Sequence, residues 1–185
     1  MIHGYLMIIL FYVDDLLITR RSKKEFSSLK DAMNHAVSMT DLGLLSQFLG
    51  LKIAQSQHGV KVNQYKYVLV FLNNFNMQYC KPSKTPFLSG VKLEEAGSSH
   101  IVNNTLYRKL IGCLIYLTHT RPDVSYEVSV SSIYMDEPHE IHWREAKRIL
   151  KFVQGTRTHG NICKEKSDLD LIGFTDSDWP GDSTY

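Results

Sequence analysis

Apolar residues change their spacing several times along this chain, and each change marks an element. The runs Tyr5 to Phe11 and Leu16-Leu17-Ile18 read as two strands joined at Tyr12-Val13-Asp14-Asp15. Ser22 followed by Glu25 forms a capping-box pattern. Phe26, Leu29, Ala32, Met33, Ala36 and Val37 then recur at helical spacing, which predicts a helix to about Met39. Phe48 to Ala54 and Val60 to Val62 flank the turn signal Gln57-His58-Gly59 and predict a second hairpin. Asn63 caps a following helix whose apolar face is Tyr65, Val68, Leu69, Leu72 and Phe75. Between Pro82 and Asn104, scattered Pro, Ser and Gly predict a loop or linker where the domain organisation changes.

Thr105 to His119 predicts a helix with Leu106, Leu110, Cys113, Leu114 and Leu117 on one face and Arg108, Gly112, Tyr116 and Thr120 on the other. A mid-helix glycine costs about 1 kcal/mol against alanine, so Gly112 calls for a packing or contact reason. From Val124 to Ile133 the signals conflict. Val124, Tyr126, Val128 and Val130 alternate as a strand would, whereas Pro122 suits the first turn of a helix. Pro138 opens a clearer helix that turns Trp143, Ala146, Ile149, Leu150 and Val153 inward and stops at Gly155. Its other face carries Arg144, Lys147, Arg148 and Lys151, a stripe suited to tracking phosphates and equally to being a solvated face. His139 and His142 have no further metal-ligating residue nearby and read as surface or packing histidines. Leu169 to Phe174 predicts a last strand, ending at Thr175-Asp176-Ser177-Asp178-Trp179.

With 43% hydrophobic and 22% charged residues among 185, the chain has the material for one or two globular units and is not disordered by composition. A net charge of +2 does not announce nucleic acid, so any basic surface has to come from local clustering. Cys80, Cys113 and Cys163 are odd in number and far apart, which fits reduced intracellular thiols and neither a disulfide framework nor a zinc site. The run Tyr5 to Val13 is too short to span a bilayer and no charged leader precedes it, so a core strand is expected and no membrane partner.

The chemistry concentrates at Asp14 and Asp15. Buried and ionised, each would cost several kcal/mol without a compensating positive charge. Magnesium supplies one: it takes carboxylate oxygens and shares its remaining positions with water and substrate phosphates, the arrangement of phosphoryl transfer. The plainer reading is a polar hairpin turn with two solvated aspartates.

Tyr12-Val13-Asp14-Asp15 resembles the YxDD box of reverse transcriptases, and its flanks resemble the copia-type retrotransposon polyprotein. The resemblance continues through Asp41-Leu42-Gly43, Phe48-Leu49-Gly50, Gln64-Tyr65, Thr85-Pro86, Tyr107-Arg108, Leu110-Ile111-Gly112 and Tyr116-Leu117-Thr118. It runs on in Thr120-Arg121-Pro122-Asp123, His142-Trp143, Ala146 to Leu150, Gly155-Thr156 and Asp176-Ser177-Asp178-Trp179, covering essentially the whole chain.

That resemblance implies an α+β fold: a partial reverse-transcriptase palm of β-hairpins plus a helix, a mainly helical thumb and connection, and a first ribonuclease H strand. It divides the chain into 1–63 (carboxyl half of the palm), 64–135 (thumb-like helices), 136–167 (connection helix) and 168–185 (start of ribonuclease H). It places a helix at Val124 to Ile133, which decides that conflict. The implied activity is RNA-directed DNA synthesis, with Asp14 and Asp15 ligating Mg²⁺, or Mn²⁺ in its place, and Tyr12 and Val13 setting the turn near the primer end. Phe48, Leu49 and Gly50 match the primer grip, although a plain structural hairpin has the same pattern. Gly112 and Tyr116, on the face of Arg108, match a glycine and aromatic pair that touches the sugars of the primer–template. On the residues alone, Gly112 equally admits the close approach of another helix.

Asp176 matches the first metal-binding carboxylate of ribonuclease H, or else lies in a polar turn. The implied partners are an RNA/DNA primer–template, deoxynucleotides and the other polyprotein segments, inside the cell in a cytoplasmic particle or the nucleus. The family's polymerases also need an aspartate on an earlier palm strand and a set of fingers. Only eleven residues precede Tyr12, so these 185 residues alone are not expected to polymerise. The alternatives are a non-catalytic nucleic-acid-binding remnant and a decayed transposon gene.

Overall fold

The computed structural model describes residues 7–19, 23–88, 90–91, 93 and 100–164, and the chain divides into two units between Leu44 and Leu45. The first unit holds β1 (Ile9–Tyr12) and β2 (Asp15–Ile18), paired antiparallel with Tyr12 opposite Asp15 and Ile9 opposite Ile18. Thr19 closes the open end of this hairpin, its N–H donating to Ile8 O at 2.9 Å. The strand is not the buried one expected: Ile9 to Tyr12 are all exposed and Leu16 to Ile18 half-buried, because two strands enclose no interior. Helix α1 (Lys23–Ala36) follows and ends before Met39. Val37, Ser38 and Thr40 explain the early stop, being β-branched or competing with the helix for backbone hydrogen bonds. Ser22 lies outside the described residues. Asp41 accepts from Lys30 Nζ and from Gly43 N–H, folding Asp41-Leu42-Gly43 back on the helix.

In the second unit four antiparallel strands run in the order β3 (Gln47–Phe48), β4 (Leu51–Ser56), β5 (Gly59–Asn63) and β6 (Asn161–Cys163). Phe48 to Ala54 is therefore not one strand. Leu49 (φ 47°) and Gly50 (φ 79°) both adopt the left-handed conformation, which makes a two-residue hairpin turn of the I′ class. Strand β6, three residues long, is too short for a periodic signal and pairs Val62 with Asn161 and Val60 with Cys163.

The helices are α2 (Tyr65–Asn74), α3 (Asn104–Thr118), α4 (Ser125–Ser132, entered through a 3₁₀ turn at Pro122–Val124) and α5 (Glu140–Gly155). One core joins them, built on Phe71 and Leu72 of α2, Tyr107, Leu110, Ile111, Leu114 and Leu117 of α3, Val124 and Val128, and Ala146, Ile149, Leu150 and Val153 of α5. Leu106, expected inside, is exposed, and Tyr107 and Ile111 take its place. The strand-like alternation at Val124 to Ile133 is incidental, since Val124, Val128 and Ser131 face inward at helical spacing while Tyr126 is exposed. Asn63 ends β5 and accepts from Tyr65 N–H at 3.1 Å, while Gln64 takes the N-cap position.

No helix or strand element occurs among the described residues of 82–104 that precede α3, yet this stretch is not a boundary between units. The division at Leu44 puts the β3–β4 hairpin with the helices rather than with the first hairpin. Arg121 is buried and forks onto both oxygens of Asp123 at 2.8 Å. It also donates to Thr156 O and Oγ1, so the corner after α3 is tied to the end of α5. Those hydrogen bonds hold the Asp123 carboxyl below the ordinary carboxylate range.

His142 is a packing histidine. Its Nδ1 accepts from His139 N–H at 2.9 Å, its Nε2–H donates to Leu93 O at 3.0 Å, and its ring stacks on Tyr134. Burial lowers its pKa, and both bonds fit the neutral ring. The stability this group contributes is complete above the ordinary histidine pKa and is lost as pH falls through the lowered folded value. Urea unfolding of the wild type between pH 7.5 and 5 is expected to lose stability with a slope of up to about 1.4 kcal/mol per pH unit from this one proton. In His142→Asn that part of the slope disappears although the protein is less stable throughout.

The β3–β4 turn is latched to α3. Tyr116 Oη donates to Leu49 O at 2.9 Å, and a Cβ added at Gly50 would lie 3.1 Å from the same hydroxyl. Tyr116→Phe is expected to cost about 1 kcal/mol by removing the bond. Gly50→Ala should cost more, combining the left-handed φ with the close contact. The double variant should be more stable than the sum of the two losses predicts, because the hydroxyl that the new methyl meets is gone. Chemical denaturation of all four proteins reads this coupling.

Candidate active-site turn and nucleic-acid interface

Asp14 and Asp15 sit at the tip of the first hairpin. Asp15 begins β2 opposite Tyr12, and Val13-Asp14 is the connecting pair. Val13 has φ 51° and is 87% exposed. A β-branched residue in the left-handed region stores strain of about 1–3 kcal/mol, at a place where a hairpin turn ordinarily takes glycine. Both carboxylates are exposed, so the sequence argument from buried charge does not apply in the described structure. What remains is two adjacent hard oxygen donors on a strained turn. Among the described residues no three Asp, Glu, His or Cys side chains converge, so this turn fits a hard divalent cation in donor type only and would by itself fill no more than part of a six-ligand shell. Asp176 lies outside the described residues.

The second unit brings together Phe48, Leu49, Gly50 and Tyr116. Phe48 is half-buried, Leu49 is exposed, and the Tyr116 ring meets Tyr67 edge-on at 4.7 Å. Tyr67 in turn donates to Cys113 O at 3.0 Å, and burial raises its hydroxyl pKa. Tyr116 is thereby held by its ring and by its hydroxyl. Gly112, one turn earlier, is exposed, and among the described residues a Cβ there would meet nothing within 4 Å, so close packing of a described helix does not account for it. Arg108 lies on the same helix but is engaged: its guanidinium pairs with Asp136 and Nε donates to Met135 O at 3.0 Å.

On α5 the stripe is divided in its commitments. Arg144 pairs with the buried Glu145 at 3.3 Å, Lys147 lies over the Trp143 ring at 5.0 Å, Arg148 donates to Thr85 Oγ1 at 3.0 Å, and Lys151 is exposed.

Gln64 falls within the family resemblance, but sequence reasoning gave it no role. It is buried, donates to Tyr116 O at 3.1 Å and accepts from Thr120 Oγ1 at 2.7 Å, so it fixes the start of α2 to the end of α3. No local pattern marks a glutamine as a bridge between helices. An open pocket of about 370 Å³ beside the 3₁₀ turn is lined by Lys61, Asp123, His159 and Asn161, among others, and includes none of the expected site residues.

Comparison with known proteins adds the family. Residues 3–89 match the model of the reverse transcriptase (RNA-dependent DNA polymerase) domain. The chain is 36% identical over 174 residues to the retrovirus-related Pol polyprotein from transposon RE2 of Arabidopsis thaliana, covering 94% of this chain and 12% of the relative. To the Pol polyprotein from transposon TNT 1-94 of Nicotiana tabacum it is 36% identical over 188 residues, covering 95% of this chain and 14% of that protein. An uncharacterized mitochondrial protein of Arabidopsis thaliana is 38% identical over 176 residues, which are 95% of this chain and 72% of the relative. The chain thus spans about one eighth of the length of the polyproteins it matches. No solved structure matches it. The matches run through the acidic turn, the latched hairpin and the helices alike: residues 3–89 belong with the reverse transcriptase domain, and the chain is a relative of the retrovirus-related transposon Pol polyproteins.

Proposed function

We propose that this chain is the stretch of a copia-type reverse transcriptase that carries the acidic turn of the palm, the primer-gripping hairpin and the thumb helices, and that runs into ribonuclease H. The observation that carries the reading is the hairpin tip, where Asp14 and Asp15 stand side by side next to a left-handed Val13. In the complete polymerase, Asp14 and Asp15 would hold Mg²⁺, or Mn²⁺ in its place. When bound, the metal ions stabilise charge on the entering and leaving oxygens as a primer 3′-hydroxyl displaces pyrophosphate from a deoxynucleotide. The chain's own part is placement. Strain at Val13 presents the two carboxylates on a fixed tip, Tyr12 flanks it, and the Leu49-Gly50 turn, latched by Tyr116, offers a backbone edge to the primer end.

Arg108, Gly112 and Tyr116 on α3, with Arg144, Lys147, Arg148 and Lys151 on α5, are the face assigned to the primer–template. Asp176 is assigned to the first ribonuclease H carboxylate, which cannot hydrolyse RNA alone. No helix among the described residues is long and apolar enough to cross a membrane, and the site of action assigned is intracellular, in a cytoplasmic particle or the nucleus.

On this reading these 185 residues contribute two carboxylates to a larger polymerase site, and by themselves they do not orient the reactants. Incubated with primer–template, deoxynucleotides and Mg²⁺ or Mn²⁺, the polypeptide is expected to give no extension. Extension that Asp14→Asn abolishes would overturn this part. When the stretch replaces its counterpart in a transposon Pol polyprotein, Asp14→Asn should lower DNA synthesis by roughly 100-fold or more. Asp31→Asn, on the exposed side of α1, should leave synthesis unchanged, and equal activity of the two variants contradicts the metal-ligand role. The second reading, a non-catalytic nucleic-acid binder, is favoured by the exposed basic residues of α5 and predicts salt-dependent duplex binding with no synthesis in either setting.

A further inference from the structure

The stretch Gln78 to Phe87 is not a free linker but a strap laid along α5. Gln154 Nε2 donates to Gln78 O at 3.3 Å, and a Cβ at Gly155 would come within 2.9 Å of Pro82 Cβ. One turn further in, Ser83 N–H donates to Lys151 O at 3.3 Å. The Ser83 hydroxyl is shared between Arg148 O at 3.2 Å and Thr85 O at 3.0 Å, and Arg148 Nη2 returns a bond to Thr85 Oγ1 at 3.0 Å. The strap therefore meets α5 at successive turns from its carboxyl end to its middle.

This clip brings together two cation-bearing segments that are distant along the chain. Lys81 and Lys84 are exposed on the strap and flank Ser83, which bonds the backbone oxygens of Arg148 and of the exposed Lys151. Lys151 also lies near enough to Cys80 to oppose the burial that raises the thiol's pKa. The strap from Cys80 to Leu88 contains no acid, and the single acid of α5 between Arg144 and Gly155 is Glu145, which is buried. Four cations on two clipped segments that carry no exposed carboxylate of their own repel one another where they come close, and a polyanion relieves that repulsion.

We propose that the strap and α5 form a composite phosphate-backbone site for a nucleic-acid duplex, with Lys81, Lys84, Arg148 and Lys151 as its contacts and Ser83 as the residue that positions the two halves. The inference deepens the primer–template reading above and rests on it; it adds the strap lysines and makes the site depend on an uncharged clip.

The test uses the 185-residue polypeptide, a labelled RNA–DNA duplex and fluorescence anisotropy across a salt series. Lys81→Gln with Lys84→Gln should weaken binding about tenfold or more and flatten the plot of log affinity against log salt by about two, one unit for each lost phosphate contact. Ser83→Ala removes no charge, yet should weaken binding about threefold or more, and Gly155→Ala, which displaces Pro82, should do the same. Lys24→Gln on α1 is the control and should bind as the wild type. Duplex binding that ignores both the paired lysine change and Ser83→Ala overturns this proposal and leaves the broader reading standing. Absence of duplex binding by the wild type at low salt removes both. Preference for vesicles containing phosphatidylserine over the duplex, with the same dependence on the strap, replaces nucleic acid by an anionic membrane and also overturns it.

Discussion

Burial of one face of α3 is the constraint to which the rest of the second unit is referred. Tyr107, Leu110, Ile111, Leu114 and Leu117 are all removed from solvent, and at about 1.5–3 kcal/mol for each large apolar side chain they outweigh any single polar contact in the unit. The hydrogen bonds that leave the same helix contribute about 1 kcal/mol each, too little to place a helix but enough to choose between registers once it is placed. Tyr116 reaches Leu49, Arg108 reaches Met135 and Asp136, and the backbone of Cys113 and Tyr116 receives Tyr67 and Gln64. Apolar burial fixes where α3 lies. Polar reach fixes what stands beside it.

The acidic turn has the opposite character. Its two strands cover each other only along their edges, and most of its apolar residues are exposed or half-buried. Its carboxylates are exposed, and among the described residues nothing in their surroundings requires a metal. What sets the turn apart is conformational. A valine at φ 51° is disfavoured in any turn whose only task is to reverse the chain, and a glycine would relieve it. That strain at the tip between Tyr12 and Asp14 is the local observation on which the proposed role of the turn rests.

Much of this arrangement was legible in the residues, and the failures have identifiable causes. Helices α2, α3 and α5 carried long apolar periodicities, and the first hairpin had an acid pair between apolar runs, so their existence followed directly. The break at Leu49-Gly50 was hidden because apolar Phe48 and Leu51 on either side continue the same run, while only φ distinguishes a turn from a strand there. Strand β6 is three residues long and is recruited by β5 rather than by its own pattern. Arg121 and Gln64 are buried through partners far along the chain, and such pairings leave no trace in a local window. The site was legible only as a family motif, and the physical reason first attached to it, buried charge, does not hold for the exposed turn.

Net charge is a poor guide to whether such a chain engages nucleic acid. Lys and Arg exceed Asp and Glu by only two, 21 against 19, and the total alone points nowhere. Screening at physiological salt confines each exposed charge to a range of about 8 Å, so a polyanion responds to the charges gathered within that distance and not to the sum over the chain. Folding decides which charges those are. Asp123 and Asp136 are drawn into pairs with Arg121 and Arg108, and Glu145 is taken inside with one oxygen on Arg144. Three acids of the helical unit are thereby paired or hidden, although Glu140 at the start of α5 stays exposed, while the strap brings the segment of Lys81 and Lys84 against the turns of α5 that carry Arg148 and Lys151. A hydroxyl that clips two segments together thus does more to create a basic surface than any surplus of lysine in the composition.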